Sequence, residues 1–200
     1  SGTVRNELVN GLDISTTTLA FAGAEMPVYL DGQDLFGDNY LPTSHVFSAS
    51  DRCDYTSDRI RTVRTDQLRY IRNFFPDRPL LQAQYRDERP PITEIKRLRR
   101  EGGLTPYQEE HWFGIRPEEE LYDIAADPHQ IHNLANNPKY AEELQRHREI
   151  LETWMKETDD QGQYPEPAIQ LKATFDLWKD KPIFKNADVN PEYDQFRKSE

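Results

Sequence analysis

Charged residues with the chemistry to bind a ligand lie close together near residue 55. Arg52 and Asp54 come first, and Asp58 and Arg59 follow shortly after them. The planar guanidinium of an arginine presents its N–H groups in a fork that suits a sulfate or a carboxylate. We interpret residues 50–58 as a loop between two strands, where a rigid sheet can aim such groups at a ligand. We predict that all four side chains bind a substrate; a solvated loop with local ion pairs is the alternative.

Histidine and cysteine side chains offer further groups that could do chemistry. His45 lies where a predicted strand begins and is a fifth candidate for substrate binding, although a lone histidine is more often structural. The run Asp-Pro-His-x-x-His at residues 127–132 has residue types found in metal sites. We interpret it as a turn, because proline pushes its predecessor out of the helical region. Cys53 has no adjacent base that would activate it. We therefore predict no catalytic residue and no metal ligand in this chain.

Two further patterns could recognise a sugar polymer. Arginines recur along residues 59–72 and could bind a polyanion such as a sulfated glycosaminoglycan. Strand alternation spreads them over both faces of a sheet, and acidic residues are common nearby, so a solvated sheet face is the preferred interpretation. His111 and Trp112 could stack on a sugar ring. Prolines and glycines flank this segment, and we prefer the interpretation that both side chains pack in the core or in a lid.

Short strands and one long helix must position these groups. Alternating apolar residues indicate four strands, and two of them form a clear hairpin around Thr65 to Gln67. The longest helix begins after Asn137, a good N-cap, and runs to about Thr158 with one apolar stripe. A shorter helix is predicted over residues 92–100. The predicted strands cover residues 45–49, 59–64, 68–73 and 120–124.

The two ends of the chain differ from this middle part. A helix is predicted over residues 14–22, with Asp13 as its N-cap and Gly23 at its C-terminal end. This helix is apolar on nearly all sides, so it must pack against something large, which the neighbouring sequence does not supply. From Gln161 onward the chain is polar and rich in proline, and we expect an extended tail that wraps over the surface.

Composition excludes several classes of function. The chain has 200 residues, of which 36% are hydrophobic and 30% charged, and its net charge is -11. Such a charge opposes binding to nucleic acid, which needs lysines and arginines to neutralise phosphates. The single cysteine excludes an internal disulfide, and no apolar run approaches the ~20 residues of a membrane span. No signal peptide is evident, and because Ser1-Gly2 is not a natural start, we expect a part upstream of it.

Five stretches of the chain carry a family resemblance. Together they cover roughly residues 5–167, and the fourth is the most specific. With these stretches in sequence, the chain resembles the C-terminal portion of a type I sulfatase, within the alkaline-phosphatase-like superfamily. The fifth stretch is similar to a helix end of heparan N-sulfatases (sulfamidases). The stretches are E-L-V-N-G-L-D-I-S-T-T-T-L-A-F-A-G, H-V-F-S-A-S-D-R, R-I-R-T-V-R-T-D-Q-L-R-Y-I-R-N, E-E-L-Y-D-I-A-A-D-P-H-Q-I-H-N-L-A and W-M-K-E-T-D-D.

The resemblance implies an α+β fold. Residues 1–40 would be the closing strand and helix of a large alkaline-phosphatase-like α/β domain. Residues 41–160 would form a small C-terminal subdomain, an antiparallel sheet of about four strands packed by one long helix. Residues 161–200 would be the extended tail.

The resemblance also implies a calcium-dependent hydrolase whose nucleophile is a formylglycine made from the motif C/S-x-P-x-R. This chain lacks that motif, since Cys53 is followed by Asp-Tyr-Thr-Ser. Calcium and formylglycine are therefore expected in an upstream part, and the chain alone is expected to be inactive. In family members the small domain lines one side of the substrate pocket, which is where the five candidate residues would act.

Two functions follow as hypotheses. The first is the C-terminal part of a periplasmic or secreted sulfatase that hydrolyses sulfate esters or sulfamates on saccharides, with an upstream catalytic domain as its partner. The second is a stand-alone binding or structural module without catalysis. The apolar helix 14–22 discriminates between them, because a natural module must cover it within the chain or in a homodimer, whereas a fragment leaves it exposed.

Overall fold

The computed structural model describes Gly2, residues 4–185 and residues 191–197. Within it the chain divides into two units, each assembled from three segments of the sequence. The first unit consists of Ser1–Ser48, Thr62–Ile71 and Glu120–Glu152, and the second of Ala49–Arg61, Arg72–Glu119 and Thr153–Glu200.

Helices and strands are both present, as the α+β prediction requires. The helices are α1 (Gly11–Phe21), α2 (Pro90–Arg100), α3 (Pro106–Phe113), α4 (Ala141–Glu157), α5 (Ala168–Trp178), α6 (Pro182–Lys185) and α7 (Asp194–Arg197). The strands are β1 (Val46–Cys53), β2 (Thr56–Arg64), β3 (Leu68–Asn73) and β4 (Glu119–Asp123). Three 3-10 turns cover Pro138–Tyr140, Gln161–Gln163 and Pro191–Tyr193.

The four strands form one antiparallel sheet in the order β1-β2-β3-β4. Backbone hydrogen bonds just beyond the ends of β3 set its register against both neighbours: Phe74 N–H donates to the Arg59 carbonyl, and Ile124 N–H to the Gln67 carbonyl. The predicted hairpin and the predicted α+β class with a sheet of about four strands are confirmed. The connection from β3 to β4 is long because it contains α2 and α3.

The predicted loop over residues 50–58 is wrong. Strand β1 continues to Cys53 and β2 begins at Thr56, so only Asp54 and Tyr55 form the connection. Asp54 has a φ of 54°, in the left-handed region that aspartate tolerates better than most residues. The density of charge suggested a loop, but several of these charges have ion-pair partners far away in the sequence, which allows them to lie in strands.

Helix α1 begins three residues earlier than predicted, because Asn10 rather than Asp13 is its N-cap. The Asn10 side-chain oxygen accepts hydrogen bonds from the backbone N–H groups of Leu12 (2.7 Å) and Asp13 (3.0 Å). Asp13 completes a capping box by accepting from the Asn10 N–H at 3.0 Å. Gly23 follows the helix with a φ of 66°, as predicted for a C-terminal glycine.

The long helix α4 ends at Glu157, close to the predicted Thr158, and it presents the predicted stripe. His147, Leu151 and Met155 are buried along it. In the first unit, His147 lies against the β2–β3 turn, with its Nε2 3.3 Å from Thr65 Oγ1. This contact ties the first part of α4 to the sheet.

The expected extended tail after residue 161 is wrong for most of the described part. Helix α5 supplies Leu171 and Phe175 to a buried cluster in the second unit, which Tyr55 joins from the β1–β2 turn. Phe184 and Tyr193 complete it, and Phe175 and Tyr193 lie with their ring centroids 6.4 Å apart. The prolines between residues 165 and 182 lie on either side of helix α5, so they limit its length without preventing it. The division at residues 40 and 160 stays a prediction.

Among the described residues, no helix is both long and apolar enough to cross a membrane.

Candidate functional site

The second unit contains a cavity of about 690 Å³. Its wall is built from β2, the segment that follows α4, the first part of α5, and three residues from elsewhere in the unit. A volume of this size is typical of small-molecule sites. The lining residues are Asp51, Ser57, Asp58, Arg59, Phe75, Gln161, Gly162, Tyr164, Pro165, Glu166, Pro167, Gln170, Leu171 and Glu192.

An ion-pair triad around the buried Arg61 side chain holds one wall of this cavity. The Arg61 side chain is fully buried, and its guanidinium donates to Asp51 Oδ1 at 2.7 Å and to Asp160 Oδ2 at 2.7 Å. Hydrogen bonding from Arg61 lowers the pKa of Asp160. Asp160 also accepts from the Gly162 N–H at 3.1 Å, and a Cβ at Gly162 would collide with the Arg61 guanidinium. The triad therefore requires glycine here and fixes the segment that lines the cavity.

Arg59 is the cationic residue of the cavity lining. Its guanidinium lies 4.2 Å from the centroid of the Phe75 ring, and its Nη1 donates to the Gln163 carbonyl at 2.8 Å. Its Nε is buried and has no hydrogen-bond partner. Burial lowers the pKa of Arg59, and repulsion from the Arg78 guanidinium lowers it further. No carboxylate among the described residues lies within ion-pair distance of it.

Asp58, the other predicted residue in the lining, serves the neighbouring structure. Its carboxylate accepts from Arg116 Nη2 at 2.8 Å, from Gln82 Nε2 at 3.0 Å and from the Arg59 backbone N–H at 2.8 Å. Arg116 is itself buried. Asp58 therefore joins β2 to the segments after β3.

Arg52 and Asp54 lie in the second unit but do not line the cavity. Arg52 pairs with Glu166 through two of its nitrogens, Nε lying 2.8 Å from Oε1. It also donates to the Tyr193 hydroxyl at 2.7 Å and to the Asp54 carbonyl at 3.0 Å. The Asp54 side chain is exposed at the turn. Both donor sides of the Arg52 fork are thus occupied, while its partner Glu166 faces the cavity.

His45 belongs to the first unit and is not among the cavity-lining residues. Its Nδ1 is 2.9 Å from Ser44 Oγ, and its ring makes an edge contact with Phe47 at a centroid distance of 5.1 Å. The structure thus brings Arg59 and Asp58 to one cavity and places the other three predicted residues outside its lining.

Several residues of the site were not predicted. Arg61 belongs to the arginine run interpreted as a solvated sheet face, and its full burial contradicts that interpretation for this residue. Tyr164 and Gln170 reach the cavity from more than a hundred residues after β2. The signal that could have found Arg61 is an arginine within a strand flanked by apolar neighbours, Ile60 and Val63, which requires buried partners for its charge.

The histidines and carboxylates were also candidates for a metal site. Among the residues that the structure describes, no three or more His, Cys, Asp or Glu side chains group so that they could hold a metal ion. In the Asp-Pro-His-x-x-His turn, Asp127 accepts from the backbone N–H groups of Ile131 (2.7 Å) and His132 (2.8 Å), and these bonds lower its pKa. The carboxylate thus serves as a turn cap.

No family model matches the chain. It is 35% identical over 174 residues to an ulvan-active sulfatase of Formosa agariphila, a match that covers 86% of this chain and 28% of that protein. The homologues of this chain are sulfatases. A second is the N-sulphoglucosamine sulphohydrolase of Homo sapiens, 28% identical over 80% of this chain and 34% of that protein. The resemblance to a sulfatase recognised from the sequence is confirmed, and the chain spans about a third or less of these relatives.

The fold agrees with a solved sulfatase structure. A 2-O GAG sulfatase superposes with a TM-score of 0.53 at 21% identity, over 80% of this chain and 28% of that one. Likeness at this identity speaks for the fold alone. It confirms the predicted α+β class with a sheet of about four strands.

Proposed function

We propose that the chain is the C-terminal part of a sulfatase that hydrolyses sulfate esters or sulfamates on saccharides. The observation that carries this is the 35% identity to an ulvan-active sulfatase across 86% of the chain. Because the match covers 28% of that protein, the remainder of such an enzyme would lie in another part of the polypeptide. The whole enzyme would be periplasmic or secreted, as the family resemblance implies.

The role proposed for this chain is to form a wall of the substrate pocket. The cavity of the second unit supports that role, because strand β2 and the ion-pair triad of Arg61, Asp51 and Asp160 hold its lining. Arg59 is the strongest of the five predicted substrate-binding residues, since its charge has no carboxylate partner. Arg52 and Asp58 would act through the residues that they hold, and His45 and Asp54 stay predictions.

The hydrolytic chemistry would come from outside these 200 residues. A formylglycine supplies the nucleophile in the family that the chain resembles, and calcium stabilises charge on the sulfuryl oxygens. The described residues contain no cluster suited to a metal ion, and calcium is proposed to lie in the upstream part.

The surface of the first unit supports an upstream catalytic domain as partner. On α1, Leu12, Ile14 and Phe21 are exposed, and Phe21 contacts the exposed ring of Phe36 at a centroid distance of 5.3 Å. The residues of α1 that are buried are instead Asp13 and two threonines. Apolar side chains on the open face of a helix are expected where another part of the same enzyme covers them. In the alternative, a stand-alone module, a second copy would cover them in a homodimer.

Sulfate release tests the proposal. The 200-residue chain and a protein extended upstream to include a C/S-x-P-x-R motif are incubated with sulfated oligosaccharides, including ulvan fragments, and free sulfate is measured by ion chromatography. We expect release by the extended protein only, and none when the Cys or Ser of its motif is replaced by Ala. Release by the 200-residue chain alone contradicts the missing nucleophile, and an extended protein inactive on every sulfated saccharide contradicts the sulfatase assignment.

A further inference from the structure

We propose that Arg59 and Phe75 form a subsite for an anionic group of a saccharide, a sulfate or a carboxylate, inside the cavity of the second unit. This deepens the proposed function and rests on it only for the saccharide nature of the ligand.

The carboxylates of the cavity lining are already paired with arginines. Four carboxylates line it, and each pairs with an arginine that is not in the lining. The pairs are Asp51 with Arg61, Asp58 with Arg116, Glu166 with Arg52 and Glu192 with Arg78. Arg61 also pairs with Asp160, which does not line the cavity. Arg59 is therefore the charged residue of the lining that has no ion-pair partner, and Glu192 and Asp51 attract it only from a greater distance.

The contacts of Arg59 orient its guanidinium without neutralising it. The Phe75 ring supports one face at 4.2 Å, and the Gln163 carbonyl takes one of the five N–H donors. The buried Nε has no acceptor among the described residues. An arginine keeps its charge at physiological pH, so a ligand oxyanion that accepts from another N–H of the guanidinium would supply the missing negative charge.

A neighbouring cation strengthens the preference for an anion. Arg78 lies over the same Phe75 ring at 3.7 Å, and its repulsion adds to burial in lowering the pKa of Arg59. Glu192 pairs with Arg78, so it attracts Arg59 without forming an ion pair with it. A ligand anion beside Arg59 relieves this repulsion.

The other side chains of the lining suit a sugar. Tyr164 is 56% exposed and offers an aromatic face for stacking on a sugar ring. Gln161 and Gln170 carry amides that can both donate to and accept from hydroxyl groups. An acidic monosaccharide would thus find an anion subsite, a stacking face and hydroxyl partners in one cavity.

Binding of acidic oligosaccharides tests the subsite. Calorimetric titrations of the 200-residue chain use a chondroitin sulfate tetrasaccharide, its desulfated form, which keeps the carboxylates, and the uncharged cellotetraose. The variants are Arg59→Gln, which removes the charge, and Arg59→Lys, which keeps it without the planar fork. Arg64→Gln is the matched control, because Arg64 is exposed on the same strand and its loss changes the net charge equally.

We expect Arg59→Gln to weaken binding of the sulfated tetrasaccharide about tenfold or more, since hydrogen bonds to charged groups are the strong ones. Arg59→Lys should weaken it several-fold, and Arg64→Gln by less than twofold. Loss of binding on desulfation identifies sulfate as the recognised group, and retained binding identifies the carboxylate. If Arg59→Gln melts below the assay temperature, Arg59→Lys decides the matter.

Three results would overturn the subsite. The first is an affinity for cellotetraose equal to that for the sulfated tetrasaccharide. The second is an equal loss of affinity for the sulfated tetrasaccharide in Arg59→Gln and Arg64→Gln. The third is no binding of any acidic tetrasaccharide. The outcome is independent of the sulfate-release experiment, which reads catalysis by the extended protein. Binding without hydrolysis would support the subsite and count against the sulfatase assignment. Hydrolysis by the extended protein, with no effect of Arg59→Gln on binding, would support the sulfatase assignment and count against the subsite.

Discussion

Arginines on one strand take different roles according to their partners. Arg61 is fully buried and bridges Asp51 and Asp160, whereas Arg59 has no carboxylate partner, and Arg64 at the strand end is exposed. Arg59 and Arg61 are two residues apart on β2 and so lie on the same face of the sheet, but only Arg61 has carboxylates within ion-pair distance. The charge that is paired stabilises the wall of the cavity, and the charge that is unpaired is free to meet a ligand.

Replacing Arg61 by Gln tests the stabilising role. Asp160 would lose its cation while only 13% exposed, so we expect a loss of about 3 kcal/mol in the free energy of unfolding. Asp51 is 47% exposed, and water would compensate much of its loss. Urea denaturation measures the change. Arg64→Gln should lie within about 0.5 kcal/mol of the wild type, and an equal effect of the two substitutions would show that the triad adds nothing.

A buried histidine on α4 makes the stability depend on pH. Burial lowers the pKa of His147 below the ordinary value of 6.5, and its Nδ1 lies 2.7 Å from the Glu143 carbonyl. As the pH falls through 6.5, His147 binds a proton in the unfolded chain but stays neutral in the folded chain, so the free energy of unfolding falls. The full contribution of the neutral imidazole is therefore present above pH 6.5.

Urea denaturation at pH 7.5, 6.5 and 5.5 checks this dependence. We expect the wild type to lose stability over this range and His147→Asn to lose less, since Asn keeps a donor towards the Glu143 carbonyl but cannot titrate. His129 is exposed, so His129→Asn should follow the wild-type slope. A slope for His147→Asn equal to that of the wild type would assign the dependence to other groups.

At the scale of elements, local patterns predicted whatever depends on periodicity. The hairpin of β2 and β3 and the stripe of α4 have regular apolar spacing, so their places followed from the sequence. Helix α5 did not, because Leu171 and Phe175 form its only buried stripe and prolines flank it. The cavity could not be predicted either, since Arg61 meets Asp160 across 99 residues and no local rule joins them.

The packing of α5 is open to a direct test. Phe175 is 2% exposed in the aromatic cluster, so Phe175→Ala should cost about 3 to 5 kcal/mol through lost burial and a cavity. Ile169 lies on the same helix but is 78% exposed, and Ile169→Ala should cost less than about 0.5 kcal/mol. Urea denaturation compares them. A small effect of Phe175→Ala would mean that the last segment packs loosely, as an extended tail would.

At the scale of the whole molecule, the exposed apolar side chains of α1 separate the two views of the chain. Leu12, Ile14 and Phe21 would each contribute roughly 1.5 to 3 kcal/mol if another surface buried them fully. In the 200-residue chain these residues face water, which favours association between copies. In a longer sulfatase the upstream domain would cover them, and the same residues would stabilise the fold.

Changing Leu12, Ile14 and Phe21 together to Ser should therefore have opposite effects in the two proteins. In the 200-residue chain we expect less dimer by sedimentation velocity and weaker binding of a hydrophobic dye, with the melting temperature unchanged. In the extended protein the melting temperature should fall by several degrees, because buried apolar surface is lost. Ile169 and Leu177, exposed on the second unit, provide the control when changed to Ser. An extended protein that tolerates the triple change would leave the homodimer of a stand-alone module as the explanation for this face.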